Sequence, residues 1–314
     1  MDRISELPDE LVTKILSFAP MKVAVSTSVL SKRWEYLWMW VPKLEYIHYK
    51  NLSRDNNRSV APTIESLSLG FDHALFQPED IKLWVETAIS RCVRELSIYC
   101  GPDYGGFEIA LPSSLYTCKS LLALKLDGHS VLVDVPPTVC LPSLRTLQLE
   151  QVRCLNQDSL GSLLSCCPVL EDLAISRQVG DNLKTLAVIH PSLQRLTLLV
   201  DAFCPRDDGI GSVIDTPSLK YFKVEDPRPS FSYSIKHMPQ LEEADIFVSK
   251  GLGEFVESIT SVKRLSLQVF SDNEQESMYR SGIVFDQLEH LKLQCHRHNW
   301  SKLLVRLLDD SPKL

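Results

Sequence analysis

The 314-residue chain lacks any run of about 18 apolar residues, so no stretch of it is long enough to cross a bilayer as a helix. Its first ten residues, MDRISELPDE, hold four acids and no apolar centre, which speaks against a secretory leader. Its nine cysteines include no Cys-x-x-Cys pair, and the adjacent Cys166 and Cys167 are poorly spaced for zinc. They read as reduced, mostly buried thiols of a cytoplasmic and/or nuclear protein. Basic charge is short as well: 33 Lys and Arg stand against 40 Asp and Glu, a net charge of −7. That balance offers no electrostatic grip on nucleic acid or on an anionic membrane.

Catalytic patterns are also missing. There is no G-x-S-x-G elbow and no phosphate-cradling loop, so no catalysis and no cofactor are expected. His290, His296 and His298 cluster near Cys295, but no set of carboxylates or thiols converges with them, and they read as solvated strand-end residues. Arg206, Asp207 and Asp208 stand beside Gly209 and read as a solvated turn.

What is present is concentrated at the two levels of helix and repeat. Apolar residues make up 44% of the chain and charged residues 23%, an ordinary folded composition. Pro8, Asp9 and Glu10 suit the first turn of a helix, Leu11, Val12, Ile15 and Leu16 recur at helical spacing, and Pro20 stops it. A second short helix is predicted over Lys22 to Val29. A third is predicted from near Ser31, with Leu30, Trp34, Leu37 and Trp38 at i, i+4, i+7 and i+8. Three of the five tryptophans, Trp34, Trp38 and Trp40, fall here. A unit of about 45 residues sits near the lower limit for a self-sufficient core. Either its Trp-bearing face is half of a core completed by a partner, or it packs against the rest of the chain.

The string Ile4-Ser5-x-Leu7-Pro8-Asp9-Glu10-Leu11, then Ile15-Leu16-Ser17-Phe18, then Val29-Leu30-Ser31-Lys32-Arg33-Trp34-x-x-Leu37-Trp38 resembles an F-box. It resembles in particular that of the plant F-box/leucine-rich-repeat proteins that often carry a C-terminal FBD domain, a domain not found in this chain. The resemblance implies docking to a Skp-type adaptor and through it to a cullin. Leu7, Pro8, Ile15, Leu16, Leu30, Trp34 and Trp38 sit at the family's adaptor-facing or core positions, and Ala19 stands where the family usually has a larger apolar residue.

Residues 1–45 are thus read as the F-box, the polar, aperiodic 46–62 as a linker, and 63–314 as repeats. In that last region the form apolar-x-x-apolar-x-apolar recurs ten times, from Ile64-Leu67-Leu69 to Leu288-Leu291-Leu293. Successive starts lie 21 to 29 residues apart, the period of leucine-rich repeats. Pro142, Pro168, Pro191, Pro217 and Pro239 each stand two residues before a copy, where a strand does not yet need a donor. Pro312 precedes Leu314 in the same way, so the final repeat is read as truncated. Helices are predicted over Pro78 to Arg91 and in Asp158 to Pro168. The expected fold is α/β: a three-helix F-box followed by a solenoid with parallel strands on its concave face and helices and loops outside.

Strand alternation turns Tyr99, Leu199, Tyr221 and Phe247 outward beside Arg195, Lys223 and Arg264. These are the candidate contacts to a target protein, against the reading that scattered apolar surface residues carry no meaning. The resemblance implies a substrate receptor of a ubiquitin ligase, acting by holding its target near the transfer site. A scaffold outside proteolysis, or a small-molecule receptor of the kind seen in plant hormone perception, are the alternatives.

Overall fold

The computed structural model describes residues 4, 7–34, 37–41, 43–48, 64–71, 77–101, 108–183, 185–204, 212–228, 232–249, 252–269, 279–295 and 300–314. Two α-helices open it, α1 (Asp9–Leu16) and α2 (Met21–Ser26), followed by 3-10 turns at Thr27–Val29 and Leu37–Trp40. Where a third helix is expected from near Ser31, the described residues show a turn at 32–34 and the 3-10 turn Leu37–Trp40. Val12, Leu16, Ala24, Trp34, Leu37, Trp38 and Val41 close around one another as a separate small core.

Seventeen strands follow among the described residues. Eleven form one parallel sheet: β1 (Lys43–His48), β2 (Ser66–Phe71), β3 (Glu95–Cys100), β5 (Ala123–Asp127), β7 (Thr146–Glu150), β9 (Asp172–Arg177), β11 (Arg195–Val200), β13 (Tyr221–Asp226), β15 (Glu243–Val248), β16 (Arg264–Val269) and β17 (His290–Cys295). Their spatial order is their chain order. All ten repeats expected from the sequence supply a strand at their second and third apolar positions. The eleventh, β1, was not expected. Its pattern Val41-Leu44-Tyr46 lies 23 residues before Ile64 and fits the repeat, but runs straight on from the tryptophan-rich stretch. Strand β1 carries the chain out of the helical unit and pairs in register with β2 from Lys43↔Ser66 to His48↔Phe71. Apart from residues 46–48, which belong to β1, the expected linker lies outside the described residues.

Within the strands of the large sheet from β2 to β16 the second and fourth residues point inward. Leu67 and Leu69, Leu96 and Ile98, Leu124 and Leu126, Leu147 and Leu149, and their successors to Leu265 and Leu267, are buried in one continuous core. No repeat could bury that face alone, since each stacks its leucines on those of its neighbours.

The outer side mixes helices and short strands. The helix expected at Pro78 is α3 (Pro78–Ser90), with Pro at its start and a capping box between Gln77 and Asp80. The next is α4 (Ser159–Ser165); α5 (Leu252–Ser258) and α6 (Trp300–Asp309) are the others among the described residues. Elsewhere the outer turns pair as two small parallel sheets: β4 (Ile109–Ala110), β6 (Val131–Val133) and β8 (Arg153–Cys154), and then β10 (Ala187–Ile189), β12 (Ser212–Asp215) and β14 (Tyr233–Ile235). At the turn after β5, Gly128 has φ +126°, and a Cβ there would stand 2.2 Å from the Cys100 carbonyl oxygen. Only glycine fits this close approach.

Two buried ion pairs lie at the strand ends. Arg177 Nε donates to Asp181 Oδ2 at 2.6 Å. Arg228 donates through Nε to Asp226 Oδ1 (2.8 Å) and through Nη2 to Oδ2 (2.7 Å), and the Tyr233 hydroxyl also donates to Asp226 Oδ2 (2.8 Å).

Candidate adaptor and target surfaces

Helix α1 is apolar on two sides. Val12 and Leu16, four apart, face the small core. Leu11, Ile15 and Phe18, at i, i+4 and i+7, form a second stripe that faces solvent, with Ile15 49% and Phe18 81% exposed. Val23, Val29 (85%), Leu30 (66%) and Trp40 are exposed too, as is Ile4. Eight of the twenty exposed large apolar side chains among the described residues thus lie between residues 4 and 40. That density is far above the scattered apolar atoms of an ordinary surface. The unit is pinned by Arg33, whose Nε and Nη2 donate to Asp9 Oδ1 at 2.9 and 2.7 Å and whose Nη2 also reaches the Leu7 carbonyl. This ties the tryptophan-bearing segment to the start of α1.

The seven residues expected at adaptor-facing or core positions divide accordingly. Leu16, Trp34 and Trp38 are buried, Leu7 packs against the edge of their cluster, and Pro8, Ile15 and Leu30 are exposed. Of the two roles expected at these positions, adaptor-facing or core, Trp34 and Trp38 take the core one. Their indoles are needed inside a unit too small to form a core without them. The open face is aliphatic, with Trp40 at half exposure. Sequence reading passed over Leu11, Phe18, Val23, Val29 and Trp40 as surface residues. Reading Leu11, Val12, Ile15 and Leu16 as one stripe concealed that the 11/15 and 12/16 pairs face different ways.

The second surface is the solvent-facing side of the large sheet. Register places Asp172, Arg195, Tyr221, Glu243, Arg264 and His290 side by side across six adjacent strands. Two residues further along each strand comes a row with Thr197, Lys223 and Asp245, and beyond it a row with Leu199, Glu225 and Phe247. Six of the seven expected target contacts therefore share the patch made by β11, β13, β15 and β16. Tyr99 shares the face but lies on β3, with β5, β7 and β9 in between.

The cations of this patch are not available as isolated charges. Arg195 donates through Nε to Asp172 Oδ1 (2.5 Å) and through Nη2 to Oδ2 (2.8 Å). Arg264 donates through Nη2 (2.7 Å) and Nε (3.2 Å) to Glu243 Oε2, and Lys223 pairs with Glu225 at 2.8 Å. At the entry to the strands, Arg145 meets Glu171 (2.5 Å) and Lys263 meets Glu242 (3.3 Å). Most of these rungs join one repeat to the next. Exposed pairs of this kind contribute little to stability, but they neutralise the arginines locally. Glu171, Asp172, Gln194, Arg195, Lys220, Tyr221, Glu242, Glu243 and Arg264 line a shallow depression of about 260 Å³ with Tyr221 at its centre. Further along, Asp127 stands in register with Glu150. Burial and then the Glu150 charge raise its pKa, while His129 opposes them.

No group of three or more His, Cys, Asp or Glu side chains converges to hold a metal among the described residues. His296, His298 and residues 205–211, with the expected Arg206-Asp207-Asp208 turn, lie outside them. No helix among the described residues is long and apolar enough to cross a membrane.

Two family models match the chain. The F-box domain family model matches residues 4–46. A second model, described as FBD-associated F-box protein At5g56370, LRR repeats, matches residues 81–255. The FBD-associated F-box protein At5g60610 of Arabidopsis thaliana is 53% identical over all of this chain and 81% of its own length. The putative F-box/LRR-repeat protein At4g15060 of the same plant is 50% identical over all of this chain and 78% of its own length. A two-faced helical unit continuous with a leucine-rich solenoid, matched over its full length by such relatives, belongs to the family of FBD-associated F-box proteins with leucine-rich repeats.

Proposed function

We propose that this chain is the target-recognition subunit of an SCF-type cullin-RING ubiquitin ligase. The F-box holds a Skp-type adaptor, the adaptor joins a cullin, and the repeats hold a protein destined for ubiquitination. The observation that carries this reading is the exposed aliphatic set Leu11, Ile15, Phe18, Val23, Val29 and Leu30 on a unit whose own core is already closed. F-box domains generally bind Skp-type adaptors, and such a face loses its cost in water only when another protein covers it. Pro8, Ile15 and Leu30 are the expected residues that reach the adaptor directly. Leu16, Trp34 and Trp38 act by holding α1 and the turn before Leu30 in place.

On the repeats, Tyr221 with Leu199 and Phe247 supplies the apolar anchors for the target, and the paired Arg195, Arg264 and Lys223 frame them with polar contacts. The chain contributes position and leaves ubiquitin transfer to its partners.

The reading is tested by replacing Ile15 and Leu30 with Asp in the full chain. Capture of a Skp-type adaptor should be lost while the melting temperature stays near that of the wild type. Proteins held by the repeats should still be captured, with longer half-lives in cells. Undiminished adaptor capture by the double variant would overturn the proposed docking face. Unchanged half-lives of every captured protein would favour a scaffold outside proteolysis.

A further inference from the structure

Cys140 and Cys166 occupy equivalent places in neighbouring repeats. Each lies four residues before the first leucine of its copy, Leu144 and Leu170. The 26 residues between them equal the offset of the β7–β9 register, where Thr146 pairs with Asp172. The backbone joins them directly. Leu141 N–H donates to the Cys166 carbonyl at 3.0 Å, while Cys140 N–H donates to the Tyr116 carbonyl of the repeat before at 2.8 Å. Neither end of that bond lies in a strand, but the same turn follows each cysteine, Leu144 N–H donating to the Leu141 carbonyl (3.3 Å) and Leu170 N–H to the Cys167 carbonyl (3.1 Å), so the two stack as equivalent positions. The strands of those two repeats are spaced about 4.8 Å apart, inside the span of about 4.4–6.8 Å between the Cα atoms of a disulfide.

Access separates these two thiols from their neighbour. Cys140 is exposed and Cys166 is half-buried at the end of α4. Cys167, next in sequence, is buried and donates through its sulfur to the Leu163 carbonyl at 3.1 Å. Burial pushes its thiol up to about 12, which keeps it protonated and unreactive.

We propose that Cys140 and Cys166 form an oxidation site that closes to an inter-repeat disulfide under peroxide. The Cys140 thiolate attacks hydrogen peroxide, its sulfur takes one oxygen to become a sulfenic acid, and the O–O bond breaks to release water once the departing hydroxide is protonated. The Cys166 thiolate then attacks that sulfur, the S–O bond breaks, and a second water leaves. Two thiols are oxidised by two electrons, and one peroxide is reduced to two waters. The bond braces the repeat carrying Gln148 and Glu150 against the one carrying Ala174 and Ser176, and so restrains the solvent-facing sheet between them. This inference stands apart from the ligase reading.

The test treats the reduced full chain with hydrogen peroxide and digests it without reductant. The expected product is a peptide joining Cys140 to Cys166 within one chain, with Cys167 still alkylatable after denaturation. Cys140→Ser should abolish it. Cys166→Ser should leave Cys140 as a sulfenic acid trapped by dimedone, with both variants melting like the reduced wild type. Cys140 driven to sulfinic acid in the wild type without a link to Cys166, or joined instead to another cysteine or another chain, would overturn the proposal.

Discussion

Truncating Leu30 separates docking from folding most cleanly. Two thirds of its surface is exposed in the isolated chain (66%), so it contributes little to the small core and its removal should barely change stability. Under an adaptor that surface would be buried. Complete burial of a leucine contributes about 1.5–3 kcal/mol, so the exposed part is worth about 1–2 kcal/mol, or a roughly 5- to 30-fold loss of affinity on Leu30→Ala. Ile15, half exposed, should lose about 3- to 12-fold on Ile15→Ala by the same reasoning. The two changes should combine to about 15- to 360-fold if they act independently. Trp34→Ala is the counter-case. Trp34 is only 8% exposed, and emptying its site should cost about 3–5 kcal/mol, enough to unfold so small a unit. Calorimetric titration with a Skp-type adaptor, beside urea unfolding followed by tryptophan fluorescence, reads both quantities. The reasoning fails if Leu30→Ala and Ile15→Ala bind with wild-type affinity, or if Trp34→Ala weakens binding while the unit stays folded.

Gly128→Ala should destabilise the repeat domain by roughly 3 kcal/mol or more, seen as a lower urea midpoint, because it combines a strained positive φ with contact against the Cys100 backbone. Arg228→Leu strands Asp226 without its cation at full burial and should cost about 3–5 kcal/mol, whereas Tyr233→Phe, which removes one hydrogen bond to that carboxylate, should cost about 1.5–3 kcal/mol; both are read by denaturant unfolding. His190 is buried, donates from Nε2 to the Cys167 carbonyl at 3.0 Å, and has its pKa lowered chiefly by that burial. Its unfolded form takes up a proton more readily than its folded form, so its share of stability is full above the ordinary value of 6.5 and is lost as pH falls through it. The difference in unfolding free energy between the wild type and His190→Gln should therefore shrink on acidification; a difference that does not vary with pH would contradict the assignment.

The solenoid was legible because each repeat states its period several times over. Leu147 and Leu149 need inward positions, Pro142 needs a place with no donor, and both recur at the same interval. β1 escaped because Val41-Leu44-Tyr46 follows the tryptophan run with no proline two residues before Val41 to set it apart. The outer strands escaped because pairs as short as Ile109–Ala110 and Arg153–Cys154 carry no period; stacking of the repeats creates them. In the helical unit, spacing found the apolar residues but not their direction, since a helix with stripes at both 11/15 and 12/16 has two candidate inner faces. The ion pairs of the solvent-facing sheet were out of reach for a different reason. Arg195 and Asp172 are 23 residues apart, and only the register of β9 with β11 brings their side chains together.

That β1 belongs to both units has a mechanical corollary. To swivel the helical unit against the solenoid, the chain would have to peel β1 from β2 along all six paired positions, from Lys43↔Ser66 to His48↔Phe71. Those backbone bonds must break together, and each is worth about 0.5–1.5 kcal/mol net. The lever arm between Leu30 and Tyr221 is thus stiff at its root, and under the proposed ligase reading the lysines that come within range are chosen by where along the row of strands a protein is held.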